Sequence, residues 1–183
     1  MRIDINQKKI SIGSQYIIYL NSKETYYAER ELFTIFPIIN LCLKENYIDR
    51  LEIIKRWSWI SPKYDIEMID GQRLEFRTKS TWNLHYQCTT KNDIYDIYGH
   101  SGRKYSIYKN EKQIAYWLEE AVTFLAGDNY KIFANNDTEH ELIIAFCLIL
   151  DNASSKTNGS IFTLNIGNIG QETKEFNTRW KPR

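Results

Sequence analysis

Apolar and polar residues alternate along most of this chain, in short runs separated by turn residues. Tyr64, Ile66 and Met68 alternate with Asp65 and Glu67; after Asp70-Gly71, Leu74 and Phe76 alternate with Glu75 and Arg77. Period-two alternation marks a half-buried strand, and Asp-Gly supplies the positive-φ residues of a tight hairpin turn. A second hairpin is predicted from Ile94–Tyr98 and Tyr105–Tyr108 around Gly99-His100-Ser101-Gly102, after which Asn110-Glu111-Lys112 turns the chain into Ile114–Leu118. The stretch from Phe36 to Trp59 fits two patterns. Leu41, Leu43, Leu51 and Ile53 alternate as in strands, while Ile39, Leu43 and Tyr47 also fit a helical stripe. We read it as strands. Tyr-x-Ile recurs at Tyr16, Tyr64, Tyr95, Tyr105 and Tyr130; residues two apart share a strand face, so each pair is expected to point into the core.

One segment breaks the alternation. Leu142-Ile143-Ile144-Ala145-Phe146-Cys147-Leu148-Ile149-Leu150 is apolar on every side. As a helix it has no face to show to water, and it is far shorter than the roughly 20 residues a membrane span needs. A helix buried inside a sheet that closes around it resolves both facts. Thr138-Glu139-His140-Glu141 reads as a capping box at its start, and Asp151-Asn152 with the Ser154–Gly159 stretch ends it. Beyond Gly159 the composition shifts. Ile161–Ile166 is expected to form an edge strand, followed by a polar, basic and mobile tail. The expected domains are therefore residues 1–153 and an extension, 154–183.

Composition narrows the class without naming a reaction. The chain has 183 residues, 43% of them apolar and 14% aromatic, enough for one full core. A net charge of +1 gives no global attraction for nucleic acid. The N-terminal residues Met1–Asn6 lack the apolar core of a signal peptide, and no segment is expected to span a membrane. Cys42, Cys88 and Cys147 are odd in number and form no C-x-x-C, so buried free thiols in a reducing compartment are expected. Together these point to a soluble cytoplasmic protein.

Several stretches resemble a known family. Leu51-Glu52-Ile53-Ile54-Lys55-Arg56-Trp57-Ser58-Trp59-Ile60-Ser61-Pro62-Lys63-Tyr64-Asp65-Ile66 is similar to the repeated strand unit of LURP-one-related proteins. So are Ile114-Ala115-Tyr116-Trp117 and Phe124-Leu125-Ala126-Gly127-Asp128-Asn129-Tyr130, followed by the apolar helix ending Leu148-Ile149-Leu150-Asp151. The ordered series, over residues 10–152, carries the resemblance more than any one motif. It implies the tubby C-terminal fold: mainly β, a closed antiparallel barrel of about twelve strands around one central hydrophobic helix at about 138–152. Tubby-like relatives bind phosphoinositide headgroups through paired basic residues, and phospholipid scramblases are distant members. No basic motif of that kind aligns residue by residue with this chain, and nothing after the helix matches the scramblase membrane span.

Chemistry-bearing residues are sparse. His85, His100 and His140 show no metal-binding spacing. His100 beside Ser101 and near Asp96 suggests a Ser-His-Asp set on paper, but no nucleophile-elbow signature accompanies it. Asp65, Glu67, Glu75 and Asp96 fall on outward strand positions, where solvated ion pairs are the ordinary explanation. No catalytic residue, metal or cofactor is assigned. The best binding candidate is basic: Lys55, Arg56, Lys63, Arg73 and Arg77 beside Trp57 and Trp59, in a segment (50–79) holding seven Lys/Arg against five Asp/Glu. Such a set suits an anionic headgroup, with indoles at an interface. The expected function is a non-enzymatic binding module for an anionic membrane surface or a protein partner. An enzyme with a rim site, or a structural interaction protein, are the alternatives.

Overall fold

The computed structural model describes residues 1–9, 14–31, 36–59, 61–120, 128–154 and 174–183. Twelve strands follow in chain order: β1 (Arg2–Lys9), β2 (Ser14–Leu20), β3 (Lys23–Glu31), β4 (Ile38–Leu43), β5 (Asp49–Arg56), β6 (Lys63–Met68), β7 (Arg73–Ser80), β8 (His85–Thr89), β9 (Ile94–His100), β10 (Lys104–Lys109), β11 (Lys112–Glu120) and β12 (Asn129–Ala134). Each pairs antiparallel with its sequence neighbours, and β1 pairs with β12, with Ile3 opposite Ile132 and Ile5 opposite Tyr130. The sheet is thus a closed, mainly β barrel around one helix, α1 (His140–Ser154).

Alternation decides what faces in. Ile18, Ile66, Ile97, Ile107 and Ile132, the second members of the Tyr-x-Ile pairs, are all 0% exposed, and Tyr16, Tyr64, Tyr95 and Tyr130 are buried beside them. Every residue of the apolar run, Leu142 through Leu150, is buried against this lining. Phe146 packs at 5.7 Å between ring centroids on both Phe76 and Tyr95. Fully burying a large apolar side chain contributes about 1.5–3 kcal/mol, so the helix and the barrel interior stabilise each other.

The ambiguous stretch forms β4 and β5. Leu41, Leu51 and Ile53 are buried, and the alternation places Cys42 on the outer face. There its Sγ donates to Asp49 Oδ1 at 3.0 Å, so Cys42 is not a buried thiol as Cys88 and Cys147 are. Gly71 has φ +81° in the predicted Asp-Gly turn. Gly99 departs from expectation. It lies within β9 rather than in the turn, on the inward side, where a Cβ would stand 2.7 Å from Leu84 Cβ.

The helix start also differs from the expected capping box. Glu139 supplies the first carbonyl, accepting from the Leu142 and Ile143 amides, and Thr138 Oγ1 donates back to the Asn135 carbonyl at 2.7 Å. Glu141 turns to the barrel wall, accepting from Tyr26 Oη at 2.9 Å and Arg50 Nε at 2.7 Å. Glu139 accepts from Tyr95 Oη at 2.9 Å and Lys109 Nζ at 3.2 Å. A charged partner on the wall outcompetes a local backbone amide, because charge-assisted bonds are the stronger ones. His140 lies 2.8 Å from Tyr26 Oη through Nε2.

The edge strand expected at 161–166 lies outside the described residues. Residues 174–183, expected to be a mobile tail, lie along the outer face of β9 to β12. Lys174 Nζ sits 3.7 Å above the Tyr108 ring, Phe176 meets His100 and Tyr116 edge-on, and Trp180 meets Tyr116.

Substituting Phe146→Asp places an unpaired charge inside this core. The expected outcome is loss of soluble expression. A soluble variant with a cooperative melting transition would overturn the buried-helix account.

Candidate functional site

The barrel has two unlike ends. The helix enters where β12 finishes and leaves at the end where β3 passes to β4, β5 to β6 and β7 to β8; we call these the entry and exit ends. At the entry end, the Glu139 and Glu141 contacts occupy the helix start. The exit end holds the candidate site.

One side of the exit end is an acid held by neutral donors. Asp151, in the last turn of the helix, accepts from Tyr16 Oη at 2.5 Å, Gln7 Nε2 at 2.9 Å and Tyr130 Oη. Asn152 Nδ2 donates to Tyr16 Oη at 2.9 Å and to the Leu148 carbonyl at 2.8 Å. Burial, then the Asp151 charge, push both tyrosine hydroxyls well above their usual range. They stay protonated and serve as donors. This cluster pins the helix end.

The other side is a small basic recess, with room for about one water-sized group, lined by Arg30, Pro37, Ile39, Ile53, Lys55, Tyr64 and Asn152. Strand parity explains the two cations. On β3, Tyr26 and Ala28 face inward, so Arg30 does too; on β5, Leu51 and Ile53 face inward, so Lys55 follows. Among the described residues neither side chain has a hydrogen-bond or ion-pair partner, and Arg30 Nε is a buried donor without an acceptor. Burial, and then the charge of Arg30, hold the Lys55 ammonium below its ordinary pKa, with no carboxylate acting on it. Burial also pushes Tyr64 up to about 12, against a lowering effect of Arg30. The helix has no basic residue in its last turn, so its carbonyl end presents roughly half a negative charge. That offsets only part of two full positive charges. The Asp151 carboxylate, also in that last turn, is held on the opposite side by Tyr16, Tyr130 and Gln7, so the recess itself is lined by two cations and, among the described residues, no carboxylate.

The residues predicted from sequence divide. Lys55 lines the recess. Arg56 points outward and pairs with Asp65 at 2.6 Å. Arg56, Lys63 and Arg77 form a cross-strand row on the outer face, since Arg56 is opposite Lys63 and Lys63 opposite Arg77. Arg77 is paired with Glu75. Trp57 and Trp59 extend beyond this row in the β5–β6 connection, edge to face at 4.4 Å. Arg73 lies near the entry end on Glu67 at 2.9 Å, away from the others. Arg30 and Asn152 are the residues that sequence reasoning missed. The inward parity of Tyr26 and Ala28 is the signal that reveals Arg30.

The imagined Ser-His-Asp set does not assemble. Asp96 Oδ1 binds His85 Nε2 at 2.8 Å and Gln87 at 3.0 Å, and His100 Nε2 lies 2.7 Å from Ser106 Oγ beneath Phe176. Among the described residues no group of three His, Cys, Asp or Glu is placed to hold a metal, and no helix is long and apolar enough to cross a membrane. No family model, curated protein or solved structure matches the chain.

The recess has a stability signature. Lys55 is harder to protonate in the folded than in the unfolded chain, so its charged form detracts from stability at neutral pH. That penalty is relieved as pH rises through the depressed folded pKa. Lys55→Met is therefore expected to raise the melting midpoint at neutral pH by about 2–4 °C, with the gain shrinking at alkaline pH. A lowered midpoint would mean that Lys55 is a structural cation with a partner.

Proposed function

We propose that this protein is a non-enzymatic binding module whose exit-end recess takes a phosphate-bearing anion of the lipid-headgroup type. One observation carries the reading: two inward-facing cations, Arg30 and Lys55, share a recess with no acidic partner among the described residues. Keeping cations on core-facing positions costs stability unless something compensates them. A bound phosphate supplies that compensation, through charge-assisted bonds from the guanidinium and the ammonium. Tyr64 and Asn152 add groups that suit the hydroxyls and ester oxygens of a headgroup.

The resemblance to LURP-one-related and tubby-like proteins supports the same reading, since tubby-like relatives bind phosphoinositide headgroups. On this reading the chain is a member of that family and sits in the cytoplasm, facing the inner leaflet.

The test is titration of the full chain with soluble inositol trisphosphate, alongside co-sedimentation with phosphatidylcholine vesicles with and without a phosphoinositide over a salt series. Salt-sensitive binding is expected, reduced at least about tenfold by Lys55→Glu or Arg30→Gln. Arg56→Glu, on the outer face, is expected to cost only about fivefold and only on vesicles. Absence of binding to both probes at low salt would sink the headgroup reading.

A further inference from the structure

Three of the five tryptophans are exposed, and all three lie at the exit end. Trp59 and Trp82 are each 85% exposed and Trp57 63%, whereas Trp117 is buried and Trp180 packs on Tyr116. Trp57 and Trp59 belong to the β5–β6 connection and Trp82 to the β7–β8 connection. The two lie side by side because β6 pairs with β7, and Thr78 Oγ1 reaches the Pro62 carbonyl at 3.5 Å. The exposed aliphatic side chains Ile48, Ile69 and Ile94 belong to the entry end instead. Among the described residues the exposed large apolar side chains of the exit end are these three indoles and Phe36, at 37%; indole rings favour the headgroup layer of a bilayer over both water and hydrocarbon.

Charge is graded along the same strands. Next to the indoles comes the row Arg56, Lys63 and Arg77; one step further in lie Asp65 opposite Glu75, and then Glu52 opposite Glu67. Like charges side by side across strands are unfavourable on their own. Asp65 and Glu75 hold the outer two, and Lys63 stands between them. The connections themselves carry no acid: Trp57-Ser58-Trp59-Ile60-Ser61-Pro62 is uncharged, as is Thr81-Trp82-Asn83-Leu84. Indoles outermost, cations behind them and carboxylates behind the cations is the order in which an anionic bilayer presents its complements: interface, phosphate plane, then bulk water.

We propose that the exit end is a membrane-docking foot. Trp57, Trp59 and Trp82 enter the headgroup layer of an anionic bilayer, and Arg56, Lys63 and Arg77 face its phosphates. The barrel stands end-on, and the recess opens toward the lipid surface. This deepens the headgroup reading by placing the source of the anion in the bilayer rather than in solution.

The experiment uses the full chain with vesicles of phosphatidylcholine alone, phosphatidylcholine with phosphatidylserine, and the latter mixture with brominated acyl chains. Binding to serine-lipid vesicles is expected, with a blue shift and bromine quenching of tryptophan emission. Trp82→Ala changes a side chain that lines no part of the recess. It is expected to weaken vesicle binding about tenfold while leaving inositol trisphosphate binding and the melting midpoint unchanged. Lys63→Glu is expected to cost more on serine-lipid than on neutral vesicles. Vesicle binding that survives alanine at all three indoles overturns the foot, as does unshifted and unquenched emission. Soluble headgroup binding without any vesicle binding overturns the foot and leaves the recess standing. Vesicle binding that needs Trp82 but is unaffected by Lys55→Glu supports the foot and removes the recess reading.

Discussion

An apolar helix without a polar face can exist in water only if something encloses it, and in this protein everything else follows from that enclosure. A flat sheet would cover one side of α1 and leave the rest exposed. A closed sheet covers all sides, and closure requires β1 to pair with β12. It also leaves every strand paired on both edges, so the barrel offers no open strand edge. The demand of the helix and the economy of the sheet have the same solution.

Closure pairs the backbone of the walls internally and leaves the two ends of the helix to meet the wall at the rims. At the entry end, carboxylates of the helix's first residues meet Tyr26, Arg50, Tyr95 and Lys109 of the wall. At the exit end the helix finishes in Asp151 and Asn152, and there the wall is divided. Tyrosines surround the acid on the side of β1, β2 and β12, and Arg30 and Lys55 line a small recess on the side of β3 to β6. The first side is satisfied internally. The second holds two cations without an acidic partner among the described residues.

Much of this was legible in the sequence, for a physical reason: strand alternation has period two and the apolar run has no period at all. The Tyr-x-Ile pairs announced the lining, and the run from Leu142 to Leu150 announced the enclosed helix. What alternation hides is the meaning of a charged residue on an inward position. Arg30 follows Tyr26 and Ala28 on the core face of β3, but read alone it looks like one more surface cation beside Glu29 and Glu31. Lys55 and Arg56 are adjacent in sequence and opposite in fate, one in the recess and one on Asp65. Arg73 looked like their equal and lies toward the other end of the barrel, because β7 runs antiparallel to β6. The capping box failed for a related reason. A local motif assumes that its carboxylate has no better partner, and Glu141 finds Arg50, distant in sequence.

The seam between β1 and β12 also orders events in time. The first strand waits for a partner that lies more than a hundred residues along the chain, and the helix that fills the barrel is made later still. During synthesis, successive hairpins emerge with their inward faces bare and no filling to cover them. Closure needs β12 and filling needs α1, and both are made after the other eleven strands. Contacts so distant in sequence make for slow folding and a long exposure of sticky intermediates. An architecture that is thoroughly sealed once finished is therefore at its most vulnerable just before completion.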